Sequence, residues 1–391
     1  MILSEHQSKE LLAQYGVRIP DGRLARTAEE AEQRCREIRA EKYVVKAQIG
    51  AGGRGLAGGV RFAATPTSVR DEAERMIGKP LVTEQTSSAG ETVASVYVEA
   101  AVDIAEDYYV ALVIDPSSGQ PTLLASTTGG VDFEKTARRD PGVVDSLSMP
   151  KGAKTPAETI AAFLADTGFP SKSVEGAAEM VQNAARAFVD NDMTLAEINP
   201  LALTAQGDWI AVDAKVILDD NASFRHPEFE ALRGRNDWSA DERVAHQNEI
   251  NLVKLDGNIG VVVNGAGLGL ATNDMLIDAG GAPANFMDIR TTATSFQIAR
   301  GVELLLADPK VRIILLNVHG GGMTACDTVA EGVAFAYSRS ERKLPIVARL
   351  AGQSADWATR LLKDRRLPFE SRDTLGEAVR RAVELAQKGG K

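Results

Sequence analysis

The first chemistry in the chain lies in a lysine on a short β-rich run and the glycines that follow it. Tyr43-Val44-Val45-Lys46 reads as a strand opening into the segment Gly50 to Gly59, in which six of ten residues are glycine. Glycine lets backbone N–H groups approach polyphosphate oxygens closely, and Lys46 and Arg54, the latter between Gly53 and Gly55, add positive charge. No Gly-Lys-Ser/Thr follows, so this is not a P-loop of the Walker type. The alternative for the segment alone is a surface hairpin. A second constellation is Glu197-Ile198-Asn199-Pro200 with Asp213 further on. Asn199 and Asp213 offer hard oxygen ligands from adjacent strands, which suit Mg²⁺ when nucleotide phosphates complete its shell. Two polar positions on a solvated hairpin are the alternative.

Two further turns join strand ends to helices. Asn264-Gly265-Ala266-Gly267-Leu268-Gly269 resembles a phosphate-binding turn without matching GxGxxG, and Asn317-Val318-His319-Gly320-Gly321-Gly322-Met323-Thr324 places three glycines before a helix expected to start near Thr324. Free N–H groups and the helix dipole favour anions there, although tight βα turns are a common need of α/β domains. His6, His226 and His246 have no catalytic company nearby in sequence. Cys326, in the first turn of the helix after the glycines, is either a thiol acidified by the dipole or a buried structural one. Arg290 is either a cation at the mouth of a site or a solvated loop residue. No Ser-His-Asp or Cys-His spacing stands out.

The elements that must position these residues fall into two patterns. A first helix carries Leu3, Leu11, Leu12 and Tyr15 on one stripe and stops at Gly16, and Ala28 to Ala40 reads as a second. Val93–Ala101, Tyr108–Ile114 and Leu123–Ser126 read as strands, Ala157–Leu164 and Glu175–Val189 as helices, and Leu195–Ile198 with Trp209–Asp213 as a hairpin around Gly207. Strands, helices and strands again predict an α+β domain over 1–240 in two subdomains. Residues 226 to 257 read as a charged connector with one helix. From Asn258 onward, strands Ile259–Val263, Ala284–Met287, Ile313–Val318, Ile346–Arg349 and Phe369–Glu370 alternate with helices Leu268–Ala279, Ser295–Ala307, Thr324–Arg339, Ser354–Lys363 and Thr374–Gln387. Such alternation predicts a doubly wound parallel sheet of flavodoxin-like type over 241–391.

Composition narrows the partners. The 391 residues suit two or three domains, and 54 acidic against 44 basic residues give a net charge of −10, which argues against a general nucleic-acid binder. Cys35 and Cys326 are the chain's two cysteines, too few for a disulfide scaffold or a cysteine-rich zinc site, and a reducing compartment is expected. With no apolar run near the ~20 residues that span a bilayer and no secretory h-region, a soluble cytoplasmic protein is expected, with no membrane partner.

Taken in order, these segments resemble the β subunit of succinyl-CoA synthetase and its acid–CoA ligase relatives. The matching runs extend from Glu5-His6-Gln7-Ser8-Lys9-Glu10-Leu11 through Ala51-Gly52-Gly53-Arg54-Gly55, Val98-Glu99-Ala100-Ala101-Val102-Asp103, Gly129-Gly130-Val131 and Glu197-Ile198-Asn199-Pro200-Leu201 to Leu255-Asp256-Gly257-Asn258, Val263-Asn264-Gly265-Ala266-Gly267 and Pro283-Ala284-Asn285-Phe286. The resemblance implies an ATP-grasp domain followed by a CoA-ligase domain, and a ligase converting acid, CoA and ATP to acyl-CoA, ADP and phosphate. It implies nucleotide contacts at Lys46, Gly53, Arg54, Gly55, Glu99, Val102 and Asp107, and Mg²⁺ at Asn199 and Asp213. Asn264, Gly321, Gly322 and Met323 then bind the acid, and Glu197 orients a phosphohistidine carried by a partner α subunit in an αβ or α2β2 complex. Pro20 looks like the ATP-using members. The three glycines usual after Pro-Ala-Asn-Phe-x-Asp are replaced by Ile289-Arg290-Thr291-Thr292, Thr128 stands where an acid is common and Leu56 where a lysine is, and the turn at Gly320–Cys326 carries one extra residue. These departures predict a small di-anionic acid (succinate-like, malate-like or sulfonated) whose second anionic group Arg290 reads. The competing readings are a non-catalytic nucleotide- or CoA-binding regulatory subunit and a stand-alone ATP-grasp carboxylate–amine ligase.

Overall fold

A computed structural model describes residues 1–86, 90–131, 133–150, 152–232, 240–290 and 292–388. The chain divides into two compact units, Met1–Asp237 and Trp238–Lys391. Part of the expected connector, 233–239, and Thr291 of the altered loop lie outside the described residues.

Two antiparallel sheets carry most of the first unit, beside a short antiparallel pairing of Pro80–Leu81 with Glu91–Thr92. The smaller runs in the order Gly22–Ala25, Val96–Ala100, Tyr43–Ala47, Val60–Ala63. Tyr43–Ala47 is buried at every position, as a central strand covered on both faces must be. Helices Ala28–Cys35 and Pro66–Met76 pack on this sheet through Ala31, Cys35, Val69 and Ala73. The first of these ends five residues before the expected Ala40. Arg36, Glu37 and Ile38 donate their N–H groups three residues back, to the carbonyls of Gln33, Arg34 and Cys35, a tightened terminus that turns Ile38 into the core.

The larger sheet is built on Met193–Thr204 and Ile104–Ile114, which pair along most of their length, with Pro121–Ser126 and Asp145–Ser148 beyond. Helices Ala157–Thr167 and Val174–Asp190 cover it with Ile160, Leu164, Ala177, Val181 and Phe188. The hairpin differs from its expected register. Leu201–Leu203 pair with Trp209–Ala211, whereas Leu195–Ile198 pair with a separate strand, Ala214–Leu218. Pro200 has no N–H to give the ladder, and the register shifts between Ile198 and Leu201. Opposite this break the partner chain is also interrupted: Asn199 donates its backbone N–H to Asp213 O at 3.1 Å, and Val212 to Pro200 O at 3.1 Å.

The second unit contains a six-stranded sheet in the order Asn251–Lys254, Asn285–Asp288, Ile259–Val263, Ile313–Gly320, Ile346–Gly352, Phe369–Ser371. Its last five strands are parallel in flavodoxin-like order, with the crossover reversing direction at Ile259–Val263. The first strand runs antiparallel and corrects the expected connector, which carries helices Phe229–Leu232 and Ala240–Gln247 and then this edge strand. Its sequence, Asn-Leu-Val-Lys, is too short and polar to announce a strand, and pairing with Asn285–Asp288 orders it. The central strands bury alternate residues on opposite faces. Val262, Ile314, Leu316 and Val318 meet helices Ser295–Ala307 and Cys326–Arg339, while Val261, Val263, Ile313 and Leu315 meet Leu375–Lys388 and Leu276 of Ala266–Asp278.

Two local devices yield predictions. Gly352 has φ +80°, and a Cβ there would lie 2.1 Å from the Gly320 carbonyl oxygen. Gly352→Ala should therefore destabilise this unit by about 2 kcal/mol or more, read as a lowered unfolding midpoint in urea. In the first unit, Asp192 accepts two 2.7 Å hydrogen bonds from Arg225 and lies 2.6 Å from His226 Nε2. This anchors the stretch before Phe229–Leu232, whose Leu232 carbonyl in turn accepts from Gln7 Nε2 on the first helix. The Arg225 hydrogen bonds hold the Asp192 carboxyl down at about 2, and its contribution is lost only in strong acid. Burial works against the charged His226 ring, but the hydrogen bonds it donates to Asp192 and Glu228 outweigh it and raise the pKa. That contribution is complete below the unfolded value near 6.5 and fades as pH rises through the folded one, so the two overlap from roughly pH 4 to 6.5. His226→Gln should accordingly lower the melting temperature more at pH 5.5 than at pH 8.5.

Candidate functional site

The first helix, Glu5–Gln14, begins with a capping box in which Ser4 and Gln7 satisfy each other's backbone N–H groups. Its opening turn places Glu5 and Lys9 one above the other, at 3.0 Å. An acid and a lysine at this spacing ordinarily face solvent. Here both are buried, against Lys46 from the central strand of the small sheet and Glu99 from its antiparallel neighbour. Lys46 Nζ lies 2.7 Å from Glu5 Oε1, from Glu99 Oε2 and from the Val212 carbonyl oxygen. Lys9 pairs closely with Glu99 as well. Arg54 reaches back from the glycine loop to Glu5 Oε2 at 2.7 Å, Asp213 Oδ2 at 2.8 Å and the Ala47 carbonyl at 3.0 Å. Three cations and three carboxylates thus form one network.

Burial alone would favour the neutral forms of Glu5, Lys46 and Arg54, and their neighbours prevent it. Glu5 is desolvated, yet Lys46, Arg54 and Lys9 hold its carboxyl well below the usual range. Lys46 and Arg54 are desolvated too, and the carboxylates around them, Glu5 for both, Glu99 for Lys46 and Asp213 for both, raise their pKa values. The glycine loop is itself partly tied: Gly50 and Gly52 donate their N–H groups to Glu91 and Gln85 at 2.9 Å. Gly53 takes φ +75° over Thr83, and the Gly59 N–H returns to the Arg54 carbonyl. The structure brings together Lys46, Arg54, Glu99 and Asp213, which the sequence singled out, and adds Glu5 and Lys9, which it did not. The signal available was the i,i+4 pair inside a stripe of apolar residues.

Around the break in Met193–Thr204, Asn199 Oδ1 accepts the Gly130 N–H at 2.7 Å and Nδ2 donates to the Gly130 carbonyl at 3.3 Å. Asp107 borders the same glycine, since a Cβ on Gly130 would lie 2.6 Å from its Oδ2. Asp107 sits opposite Ala202 in the ladder, Glu197 opposite Lys215 and Ala111, and Val102 in the turn between Val96–Ala100 and Ile104–Ile114. Asn199 and Asp213 supply hard oxygen donors, and the Asp213 side chain is 35% exposed, so the pair fits Mg²⁺ with nucleotide oxygens as the remaining ligands. Among the described residues no group of three or more His, Cys, Asp or Glu is arranged to hold a metal ion. Any metal here needs ligands from elsewhere.

In the second unit the carboxyl ends of three strands are stapled together. Asn264, following Ile259–Val263, exchanges two 2.8 Å hydrogen bonds with the backbone N–H and carbonyl of His319. Gly265, at φ +103°, donates its N–H to Asp288 Oδ1 at 2.6 Å. The glycine turn departs from expectation. Gly320 still belongs to the strand, Gly321 and Thr324 close a turn by mutual backbone hydrogen bonds, and the helix starts at Cys326, after Ala325. The Cys326 N–H is bonded to the Gln353 carbonyl, so the turn and the helix start do not form one open anion cradle. Burial raises the Cys326 thiol, which donates to the Ala351 carbonyl, and it is the structural thiol of the two readings. Met323 is 76% exposed at the tip of the turn. Arg290 is exposed beyond the end of Asn285–Asp288, with Asn251 Oδ1 3.5 Å from its guanidinium.

Comparison with known proteins agrees with this geometry. Residues 2–203 match the ATP-grasp domain family and residues 262–383 the CoA-ligase family. The chain is 38% identical over 390 residues to the succinate–CoA ligase [ADP-forming] subunit beta of Staphylococcus aureus strains JH9 and Newman, covering 99% of this chain and all of theirs. In three dimensions it is similar to ATP citrate lyase from Methanothrix soehngenii, solved with citrate and coenzyme A. There the TM-score is 0.75 and identity 17%, over 98% of this chain and 99% of that one, a likeness of fold. An ATP citrate lyase of Methanosaeta concilii superposes with a TM-score of 0.72 and the same coverage. With both units matched in order and the full length aligned, the chain belongs to the family of ADP-forming succinate–CoA ligase β subunits, an ATP-grasp domain followed by a CoA-ligase domain.

Proposed function

We propose that this chain is the nucleotide-binding half of an ADP-forming acid–CoA ligase whose acid carries a second anionic group. The observation that carries the nucleotide part is the convergence of Lys46, Arg54, Asp213 and Asn199 at the glycine loop and the strand break. Lys46, Gly53, Arg54, Gly55, Glu99, Val102 and Asp107 would hold ATP. Lys46 and Arg54 act as fixed positive charge, since their carboxylate neighbours keep them protonated at every physiological pH. Asn199 and Asp213 would hold Mg²⁺, which when bound neutralises charge on the transferring phosphoryl group. A carboxylate is a poor electrophile, and an acyl phosphate removes that obstacle before the thiol of CoA attacks.

The likeness to succinate–CoA ligase chains that are named as a subunit beta supports a partner. In our reading an α subunit, in an αβ or α2β2 complex, brings a phosphohistidine that Glu197 orients. Asn264, Gly321, Gly322 and Met323 would form the acid site, with the Asn264–His319 staple fixing the root of the turn. Arg290 adds a cation beyond the carboxyl end of the neighbouring strand. An ordinary monocarboxylate would not need it, and a sulfonate or second carboxylate would. We place the complex in the cytoplasm.

The test is ADP release by the chain co-expressed with its α-type partner, with CoA, across carboxylic and sulfonated acids. Turnover should require both CoA and the partner and should favour a di-anionic acid. Arg290→Ala should raise the KM for that acid about ten-fold or more while leaving the KM for ATP unchanged. An unchanged acid KM would remove Arg290 from the site. ATP binding without turnover on any acid would favour a regulatory subunit instead.

A further inference from the structure

Among the described members of the buried network, Glu5 alone touches all three cations: Lys9 at 3.0 Å, Lys46 at 2.7 Å and Arg54 at 2.7 Å. It is also closed off from water. The side chains of Glu5 and Glu99 are 1% exposed, Lys9 0%, Lys46 5% and Arg54 10%, against 35% for Asp213. A ligand therefore meets this network at Asp213. Arg54 spans the two environments, with one acidic partner buried and fixed and the other open to solvent.

We propose that Glu5, braced by Lys9, is a positioning residue of the nucleotide site: it keeps Lys46 and Arg54 aimed while Asp213 exchanges Arg54 for a nucleotide-bound divalent cation. The inference rests on the adenine-nucleotide reading above. The Arg54–Asp213 ion pair is then the closed form of the site, and it makes metal and nucleotide arrive together. Metal alone would have to take Asp213 from Arg54 and leave that guanidinium with a single acid. A polyphosphate supplies the replacement anion in the same event. After the exchange Glu5 still holds Arg54 Nη1 and Lys46 Nζ, so neither cation has to be re-ordered. The arrangement has a cost that can be measured, because a buried carboxylate beside both cations opposes an incoming phosphate.

The experiment titrates the full chain with ADP in EDTA and then with ADP and MgCl2, by calorimetry, alongside thermal unfolding without ligand. Glu5→Gln should melt lower than wild type yet bind Mg-free ADP more tightly, on the order of ten-fold, because one opposing charge has gone. Glu5→Asp keeps the charge and should leave ADP affinity close to wild type. An acid that is merely structural would give lower stability and weaker ADP binding together. That result, or an unchanged ADP affinity in Glu5→Gln, overturns the proposal. Should Glu5→Gln not fold, Asp213→Asn decides. It should bind Mg-free ADP more tightly than wild type and lose the further gain that MgCl2 gives, and weaker Mg-free binding overturns the exchange. Wild-type chain that binds no ADP in either buffer would sink the nucleotide reading itself.

Discussion

Charge balance in a closed space is the constraint on which the first unit depends. Three cations and three carboxylates come from five separate stretches of chain: the first helix, the central strand, the glycine loop, the neighbouring strand and the break near Asp213. Removing a single member would leave a buried charge without its counterpart, which is far costlier than never burying the pair. The network therefore acts as a registration device. The helix Glu5–Gln14 has to seat with Glu5 inward, and the loop has to return so that Arg54 meets Asp213. Packing alone would tolerate several seatings of so short a helix.

The second unit solves positioning with hydrogen bonds to backbone groups. A side-chain amide, a backbone peptide and one carboxylate tie three strand ends together, and no ion pair is involved at Asn264 or His319. Parallel strands buried on both faces supply the rigid floor, and the turns rise from it. The two units thus present contrasting sites. One is a network of paired charges; the other has a hydrogen-bonded root and an exposed rim.

Much of this was legible in the residues. The βα alternation after Asn258 gave the parallel strands and their helices almost to the residue, because a strand buried on both faces leaves an unmistakable apolar run. Lys46 beside a glycine cluster and Asn199 beside Pro200 stood out by residue type, and the structure brings Lys46, Arg54 and Asp213 together with the break at Asn199. What escaped notice depended on long-range pairing. The strand Asn251–Lys254 has no apolar signature and exists through its neighbour. The split pairing of Met193–Thr204 follows from a single proline whose effect is felt across the sheet. Glu5 and Lys9 have a spacing that ordinarily faces solvent, and only the folded unit shows that a sheet lies against that face of the helix. The turn at Gly321–Thr324 closes on itself through backbone bonds that no residue type announces.

The contact between Gly320 and Gly352 bears on how such a chain diversifies. Backbone meets backbone there, and a side chain on Gly352 has no room. Neighbouring strands are consequently locked at the base of the Gly321–Thr324 turn, while Met323 and Arg290 stand clear of the core. Change is admitted at the rim and refused at the root. A lineage built this way can exchange a few exposed residues, or even lengthen a turn, without renegotiating its folding.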